Sequence, residues 1–185
     1  RLAPLGHKYA TTVDLKAKTC STICERTGCV TVFPSQGVSN DEGGVTIPIG
    51  DDGVTISFTA EDCAAHEGEN PIIKCRVPTT LDGTAAQRNA VNGMLASIYL
   101  DFGTMNGCEA GITYPLEVSE ADASNLKMYS ASDTGELSET IMVYDGEGTV
   151  MFVATNGMYG IDIASEEDNP LSGCMGIIVA IIGSG

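Results

Sequence analysis

The sequence predicts an all-β protein, an antiparallel β-sandwich with one short helix and with strand-forming extensions at its N- and C-terminal ends. Short stretches in which apolar and polar residues alternate recur along the chain, which is the pattern of half-buried strands. Loops rich in Gly, Asp, Ser and Asn separate these stretches at regular intervals, as in sandwich folds. The 185 residues, of which 43% are hydrophobic, are enough for a single domain with its own core.

The first predicted strand covers residues 9–18. Its core-facing positions are Tyr9, Thr11, Val13 and Leu15. Lys16 and Lys18 lie on the opposite side, and because lysines often protect a sheet edge, we expect this strand at an edge. A second strand is predicted over residues 29–33, and Pro34 is expected to end it.

The clearest local signal is a hairpin. Two runs rich in β-branched residues, Val45–Ile49 and Val54–Phe58, flank the sequence Gly-Asp-Asp-Gly, which suits a tight turn. Further strands are predicted over residues 72–77, 111–116, 126–130, 140–144, 150–155 and 159–163.

One short helix is predicted in the middle of the chain. Thr84 and Gln87 have the spacing of a capping box, and Gly93 suits the end of the helix. After Gly93 the apolar residues alternate, which predicts a strand over residues 96–102. A single longer helix through Tyr99 is the alternative.

The chain divides into three parts within one structural domain. Residues 1–44 form an N-terminal arm with strands and a cysteine cluster, residues 45–163 form the sandwich, and residues 164–185 form an apolar C-terminal strand. The net charge is −16, and this acidity predicts that nucleic acid is not a partner. The longest apolar run, residues 175–182, is shorter than the roughly 20 residues that cross a bilayer, so we expect no membrane insertion.

Seven cysteines are many for this length. They are Cys20, Cys24, Cys29, Cys63, Cys75, Cys108 and Cys174. None has the C-x-x-C spacing of a zinc ribbon or a redox motif, and only two histidines accompany them, so no metal site is predicted. We interpret them as disulfide candidates in a secreted, processed protein, with the odd cysteine free or bridged to another chain. Buried reduced thiols are the alternative.

Residues 45–163 resemble a β-sandwich domain of bacterial and archaeal cell-surface proteins of the S-layer type. The matching pieces are VTISF, IIKCRV, LDGTAAQ, GITYPLEV, NLKMYSASDTGELSE and TVMFVATNGMYGIDI. The resemblance implies an extracellular scaffold or adhesion module without chemistry of its own.

The apolar C-terminal segment suggests how such a module functions. Residues 175–182 are uncharged, contain no proline and favour β-structure, so on a free edge they are an aggregation hazard. The segment either completes its own sandwich or pairs with a neighbour by strand addition, with residues 9–18 as the alternative donor. The residues expected in the assembly strands are Tyr9, Thr11, Val13, Leu15, Ile177, Ile178, Val179, Ile181 and Ile182.

We therefore expect a structural subunit of an extracellular surface polymer, such as a pilus-like filament, a sheath or an S-layer. Its partners are copies of itself, joined by exchange of terminal strands and by intersubunit disulfides. The alternatives are a monomeric extracellular binding or adhesion module and a decoration protein of a viral shell.

Catalysis is not expected. The sequence contains no nucleophile elbow, zinc-protease motif, P-loop or dinucleotide fingerprint. No cofactor is predicted, although weak extracellular calcium binding stays open at acidic loops. These loops surround Asp41, Asp51, Asp145 and Glu166.

Overall fold

The computed structural model describes residues 7–164, which form two antiparallel sheets packed face to face. The predicted all-β sandwich is confirmed. The strands are β1 (Tyr9–Asp14), β2 (Thr19–Cys24), β3 (Val32–Gly37), β4 (Val45–Ile49), β5 (Val54–Phe58), β6 (Ile72–Arg76), β7 (Ala96–Asp101), β8 (Ala110–Pro115), β9 (Leu126–Ala131), β10 (Leu137–Thr140), β11 (Val143–Tyr144), β12 (Thr149–Ala154) and β13 (Gly157–Ile163). The larger sheet has the order β10-β9-β13-β7-β6-β1-β2-β3, and the smaller sheet has the order β11-β12-β8-β5-β4.

The first strand lies inside the larger sheet, and the expectation that it occupies an edge is wrong. β1 pairs with β2 along its whole length and with β6 through Thr11 and Thr12. The four residues predicted to face the core do so, and the strand is apolar enough to sit between two neighbours. These buried residues are Tyr9, Thr11, Val13 and Leu15. β1 and β2 are thus an integral part of the larger sheet.

The predicted strand over residues 9–18 is in fact a shorter strand followed by a turn. β1 ends at Asp14, whose carboxylate accepts hydrogen bonds from the backbone N–H groups of Lys16 and Ala17 at 3.1 and 2.9 Å. Lys18 then adopts a positive φ of 53°, and the chain returns as β2, which was not predicted. Its sequence, TCSTIC, lacks the aliphatic alternation on which the strand predictions rest.

Two further strand predictions need correction. β3 runs through Pro34 instead of ending there. Proline has no backbone N–H, and β3 tolerates it because one side of this edge strand is unpaired and needs no backbone donor. The predicted strand over residues 140–144 is divided between β10, in the larger sheet, and β11, in the smaller one. Ile141 and Met142 carry the chain from one sheet to the other.

The described residues contain three α-helices, α1 (Ala60–Ala65), α2 (Ala85–Val91) and α3 (Glu120–Ala123), of which only α2 was predicted. Its capping box is confirmed: Thr84 Oγ1 accepts the Gln87 N–H at 3.1 Å, and Gln87 Oε1 accepts the Thr84 N–H at 2.8 Å. The alternative of one helix through Tyr99 is wrong, because β7 begins at Ala96. Within residues 7–164, no helix has the length and apolarity to cross a membrane.

The inner faces of both sheets form the core. Phe58 of the smaller sheet meets Phe102, just after β7, edge to face, with ring centroids 5.2 Å apart. The predicted hairpin of β4 and β5 is confirmed. Ile47 and Ile56 lie opposite each other on its two strands, and both are fully buried. The predicted C-terminal strand lies outside the described residues, together with Cys174, Ile177, Ile178, Val179, Ile181 and Ile182.

Candidate functional site

The edges of the two sheets differ in how well they are protected against pairing with another chain. β3 and β4 each contain a proline, Pro34 and Pro48, and the residues just before β4 also cover part of its edge. β10 contains a charged residue, Glu139, which forms an ion pair with Lys127 at 3.5 Å. β11 has neither proline nor charge, and in the part of the chain that the structure describes it has no partner beyond β12. β11 is only two residues long, but neither a proline nor a charged residue within it opposes pairing with a further strand.

The outer face of the smaller sheet beside β11 is apolar. The exposed fractions are 88% for Ile141 and 65% for Val153, and Val143 and Met151 are exposed opposite each other on β11 and β12. Gly111 lies opposite Val153 and adds no side chain, so the face forms a groove of about 740 Å³. An exposed apolar groove of this kind marks a binding surface more often than inert surface. We call β11 and this groove the open corner.

A buried polar atom lies at the end of β10, where the chain leaves the larger sheet. The hydroxyl of Thr140, the residue before Ile141, is shielded from solvent and has no hydrogen-bond partner among the described residues. An unsatisfied buried hydroxyl costs about 1–3 kcal/mol.

The sequence-predicted assembly residues of the first strand lie elsewhere. Tyr9, Thr11, Val13 and Leu15 are all less than 5% exposed and face the core of their own molecule. Because β1 is also paired on both sides, it has no edge to offer a neighbouring chain. In the described structure this strand is paired within its own sheet, and the other predicted donor, residues 175–182, lies outside the described residues.

The six described cysteines are free thiols in this structure, so no predicted disulfide is formed among them. Cys20, Cys24, Cys63 and Cys75 are buried, whereas Cys29 and Cys108 are half-buried. Burial raises the pKa of Cys75 to about 12, which leaves this thiol protonated and unreactive at neutral pH.

Two of the disulfide candidates, Cys24 and Cys29, form a cluster with a histidine that the sequence analysis did not single out. The ligand atoms of His7, Cys24 and Cys29 all lie within 4.8 Å of one another, and Cys29 Sγ lies 3.6 Å from His7 Nδ1. Burial raises the pKa of the Cys24 thiol, but backbone hydrogen bonds with Arg26 and Lys8 and the neighbouring Cys29 outweigh it, and the net shift is downward. We call these three residues the His7 cluster.

A second cysteine–histidine pair lies at the end of α1. Cys108 Sγ is 3.6 Å from His66 Nε2, and His66 Nδ1 is 2.7 Å from Glu69 Oε2. The order nucleophile, base and carboxylate is that of a catalytic triad. Burial and the nearby carboxylates raise the pKa of Cys108, which favours the thiol over the thiolate that a nucleophile needs.

Two of the acidic loops considered for calcium use side-chain oxygens to close their own turns, and the loop at Glu166 lies outside the described residues. Asn40 Oδ1 accepts the N–H groups of Glu42 and Gly44, and Asp145 Oδ1 accepts those of Glu147 and Thr149. Asp51 accepts the hydroxyl of Tyr9 at 3.1 Å. Within residues 7–164, the His7 cluster is the grouping of three ligand side chains close enough to share an ion.

Comparisons with protein-family models, with characterised proteins and with solved structures find no match to this chain. The resemblance to S-layer-type sandwich domains therefore stays a prediction, and the functional argument rests on the molecule itself.

The sequence reasoning missed both the open corner and the His7 cluster. A signal for the first was present in the uninterrupted apolar run Ile141-Met142-Val143-Tyr144, which was assigned to one strand instead of to a crossing between sheets. The second had no signal in cysteine spacing, because His7 and Cys24 are brought together by the pairing of β1 with β2.

Proposed function

We propose that this protein is a non-enzymatic structural subunit that polymerises at a cell surface. In this proposal, residues 175–182 of one molecule add to the open corner of the next. The observation that carries the proposal is the unprotected edge of β11 beside an exposed apolar groove. Strand addition at this edge supplies main-chain hydrogen bonds, and alternate side chains of the incoming strand fill the groove.

The chemistry of the donor segment matches that of the acceptor. The sequence of residues 175–182, MGIIVAII, offers β-branched side chains at alternating positions and carries no charge. The acceptor presents Ile141, Val143, Met151 and Val153, and burial of such side chains contributes about 1.5–3 kcal/mol each. Both surfaces are thus apolar enough to associate in water.

The chain between the sandwich and the donor segment favours exchange between molecules. Ten residues, 165–174, separate the end of the described chain from residue 175, and extended they reach up to about 33–36 Å. Neighbouring strands of one sheet are usually joined by about two to five residues. The sequence of these residues, SEEDNPLSGC, is acidic with Pro and Gly, which is typical of a linker.

Strand addition of this kind joins two different surfaces, so it does not close on itself and yields a filament or an open sheet. The cell-surface location rests on the resemblance of residues 45–163 to S-layer-type sandwich domains. Cys174 directly precedes the donor segment and is the candidate for a disulfide between subunits.

The test uses the full-length chain and three lysine substitutions, followed by light scattering and electron microscopy. Val143→Lys places a charge on the acceptor, and Ile178→Lys places one in the donor. Leu81→Lys is the matched control, since Leu81 is an exposed leucine in the loop before α2, outside the open corner. We expect the wild-type chain and the control to polymerise and the other two variants to stay monomeric.

Mixing the two defective variants separates exchange between molecules from folding back within one. The Val143→Lys chain keeps its donor and the Ile178→Lys chain keeps its acceptor, so the mixture should form dimers and nothing larger. A wild-type chain that is monomeric at all concentrations contradicts the proposal and favours the adhesion module or a segment docked on its own molecule. Closed trimers favour a shell decoration protein, and polymers that tolerate Val143→Lys also refute the proposed contact.

A further inference from the structure

We propose that the His7 cluster is a zinc site, in which His7, Cys24 and Cys29 bind one Zn²⁺ and leave a fourth position to solvent. This inference is independent of the polymerisation proposed above. Imidazole nitrogen and cysteine sulfur are the ligands that zinc prefers in proteins, and sites with three protein ligands keep a position for water.

The separation of the donor atoms fits a tetrahedral ion. With Zn–S distances of about 2.3 Å and Zn–N distances of about 2.0–2.1 Å, sulfur and nitrogen ligands lie about 3.6 Å apart. Cys29 Sγ and His7 Nδ1 are 3.6 Å apart, and Cys24 Sγ lies within 4.8 Å of both. Only small side-chain adjustments are needed to bring all three atoms onto one ion.

The fold holds these residues in place. Tyr9 lies opposite Cys24 in the β1–β2 register, and His7 precedes Tyr9 by two residues, so all three side chains project from one face of the sheet. The His7 ring stacks on that of Tyr9, with centroids 5.1 Å apart and an interplanar angle of 18°. Tyr9 is itself buried, which gives the histidine a rigid platform.

The loop after β2 returns the second sulfur to the same point. Glu25 N–H donates to the Lys8 carbonyl at 2.8 Å, which extends the pairing of the two strands past their ends. Gly28 has a φ of 80°, which glycine adopts without strain, and Cys29 N–H donates to the Arg26 carbonyl at 3.0 Å. The turn therefore places Cys29 beside Cys24 although the two are separated by four residues.

The charges and the exposure also suit a metal. Zn²⁺ with two thiolates and a neutral imidazole carries no net charge, so a partly buried site needs no further counterion. Binding displaces the two thiol protons, which leave to solvent. Cys24 is buried whereas His7 is exposed, so the ion sits at the surface, with its fourth position accessible.

A disulfide between Cys24 and Cys29 is the competing outcome. It would join the same two sulfurs and remove both ligands, and it needs an oxidant that takes two electrons and two protons. A bound zinc ion holds both sulfurs as thiolates and blocks this reaction, so the two states exclude each other.

The test is a titration of the reduced, full-length chain with Co²⁺, followed by displacement with Zn²⁺. Thiolate ligation in a tetrahedral site gives a sulfur-to-cobalt charge-transfer band and strong visible absorption. We expect one Co²⁺ per chain and loss of both bands on addition of Zn²⁺. Cys24→Ser and Cys29→Ser should abolish the charge-transfer contribution of the missing sulfur and weaken binding by more than about tenfold, and His7→Ala should weaken it to a similar extent.

Cys108→Ser is the matched control, because Cys108 also lies 3.6 Å from a histidine nitrogen but belongs to no group of three ligands in the described chain. It should leave Co²⁺ binding unchanged. A second measurement needs no variant: Zn²⁺ should protect Cys24 and Cys29, and not Cys108, from alkylation of the folded wild-type chain. The proposal is overturned if the reduced chain gives no charge-transfer band, or if Cys29→Ser binds as the wild type does. It is also overturned if mass spectrometry of the chain purified without reductant finds Cys24 bonded to Cys29.

Discussion

At the scale of single residues, Arg76 is a buried cation that forms ion pairs with two carboxylates. Its side chain is 5% exposed, and its guanidinium contacts both carboxylate oxygens of Asp82 at 2.9 and 3.1 Å and Glu25 at 2.7 Å. Asp82 also accepts the backbone N–H and the hydroxyl of Thr79. The cluster ties β6 to the loop after β2 and to the loop before α2.

These contacts change the acidity of both carboxylates. Burial raises the pKa of Asp82, but the hydrogen bonds from Arg76 and Thr79 outweigh it, and the pKa falls below its ordinary 3.8. The hydrogen bond from Arg76 likewise lowers the pKa of Glu25 below its ordinary 4.5, against the opposing effect of burial. The stabilisation is therefore complete above the ordinary values and is lost as the pH falls through the lower values of the folded state.

We predict that Asp82→Asn lowers the free energy of unfolding at pH 7 by about 3–5 kcal/mol, because it leaves a buried guanidinium with one charged partner fewer. The difference from the wild type should shrink as the pH falls below about 4, because the Asp82 carboxylate of the unfolded wild-type chain takes up a proton there while that of the folded chain does so only at lower pH. Urea denaturation at several pH values measures both effects. Asp41→Asn, in an exposed turn, is the control and should change little. A penalty for Asp82→Asn that does not depend on pH contradicts the assignment.

At the scale of elements, the β4–β5 hairpin depends on one close backbone approach. Gly44 immediately precedes β4, and a Cβ at this position would lie 2.1 Å from the carbonyl oxygen of Phe58 at the end of β5. The obstacle is backbone of the paired strand, so it cannot swing aside as a flexible side chain would. Position 44 therefore accommodates only glycine, because any larger residue would clash with the backbone of β5.

We predict that Gly44→Ala destabilises the protein by about 1–3 kcal/mol, since β4 has to move away from β5 to admit the methyl group. Gly37→Ala is the matched control, because a Cβ at Gly37, the last residue of β3, meets no atom within 4 Å. Thermal or urea unfolding of both variants checks the expectation. Equal stability of the two variants would show that the backbone at position 44 does not approach the Phe58 carbonyl oxygen this closely.

At the scale of the whole molecule, charge opposes the polymer that the open corner promotes. The net charge of −16 makes subunits repel one another. Salt reduces this repulsion, with a screening length of about 10 Å at 0.1 M ionic strength, while it leaves apolar contacts intact. The balance between the two effects decides at which protein concentration polymers form.

We therefore predict that the critical concentration for assembly falls as the NaCl concentration rises, and that it also falls as the pH approaches the pI of about 4.2 from neutrality. Sedimentation of the full-length chain at several salt concentrations measures the first effect. The Val143→Lys variant should not sediment at any of these salt concentrations, because its acceptor surface no longer binds the donor segment. If salt instead dissolves the polymer, the contact between subunits is electrostatic rather than apolar.

Local interactions determined what the sequence alone could predict. The β4–β5 hairpin and the capping box of α2 were predicted correctly, because each depends on residues within about fourteen positions of one another. The alternation of Tyr9, Thr11, Val13 and Leu15 likewise identified a buried face, since a strand presents every second residue to the same side.

Only the tertiary structure decided which strands are neighbours. β1 lies inside its sheet because β6, about sixty residues later, pairs with it, and no local pattern encodes that partner. The same holds for both candidate sites. The His7 cluster exists because the β1–β2 register brings His7 to Cys24, and the open corner exists because the chain changes sheets at Ile141 and leaves β11 at an edge. Side-chain periodicity determines which face of a strand is buried, whereas the neighbours of that strand depend on the packing of the whole chain.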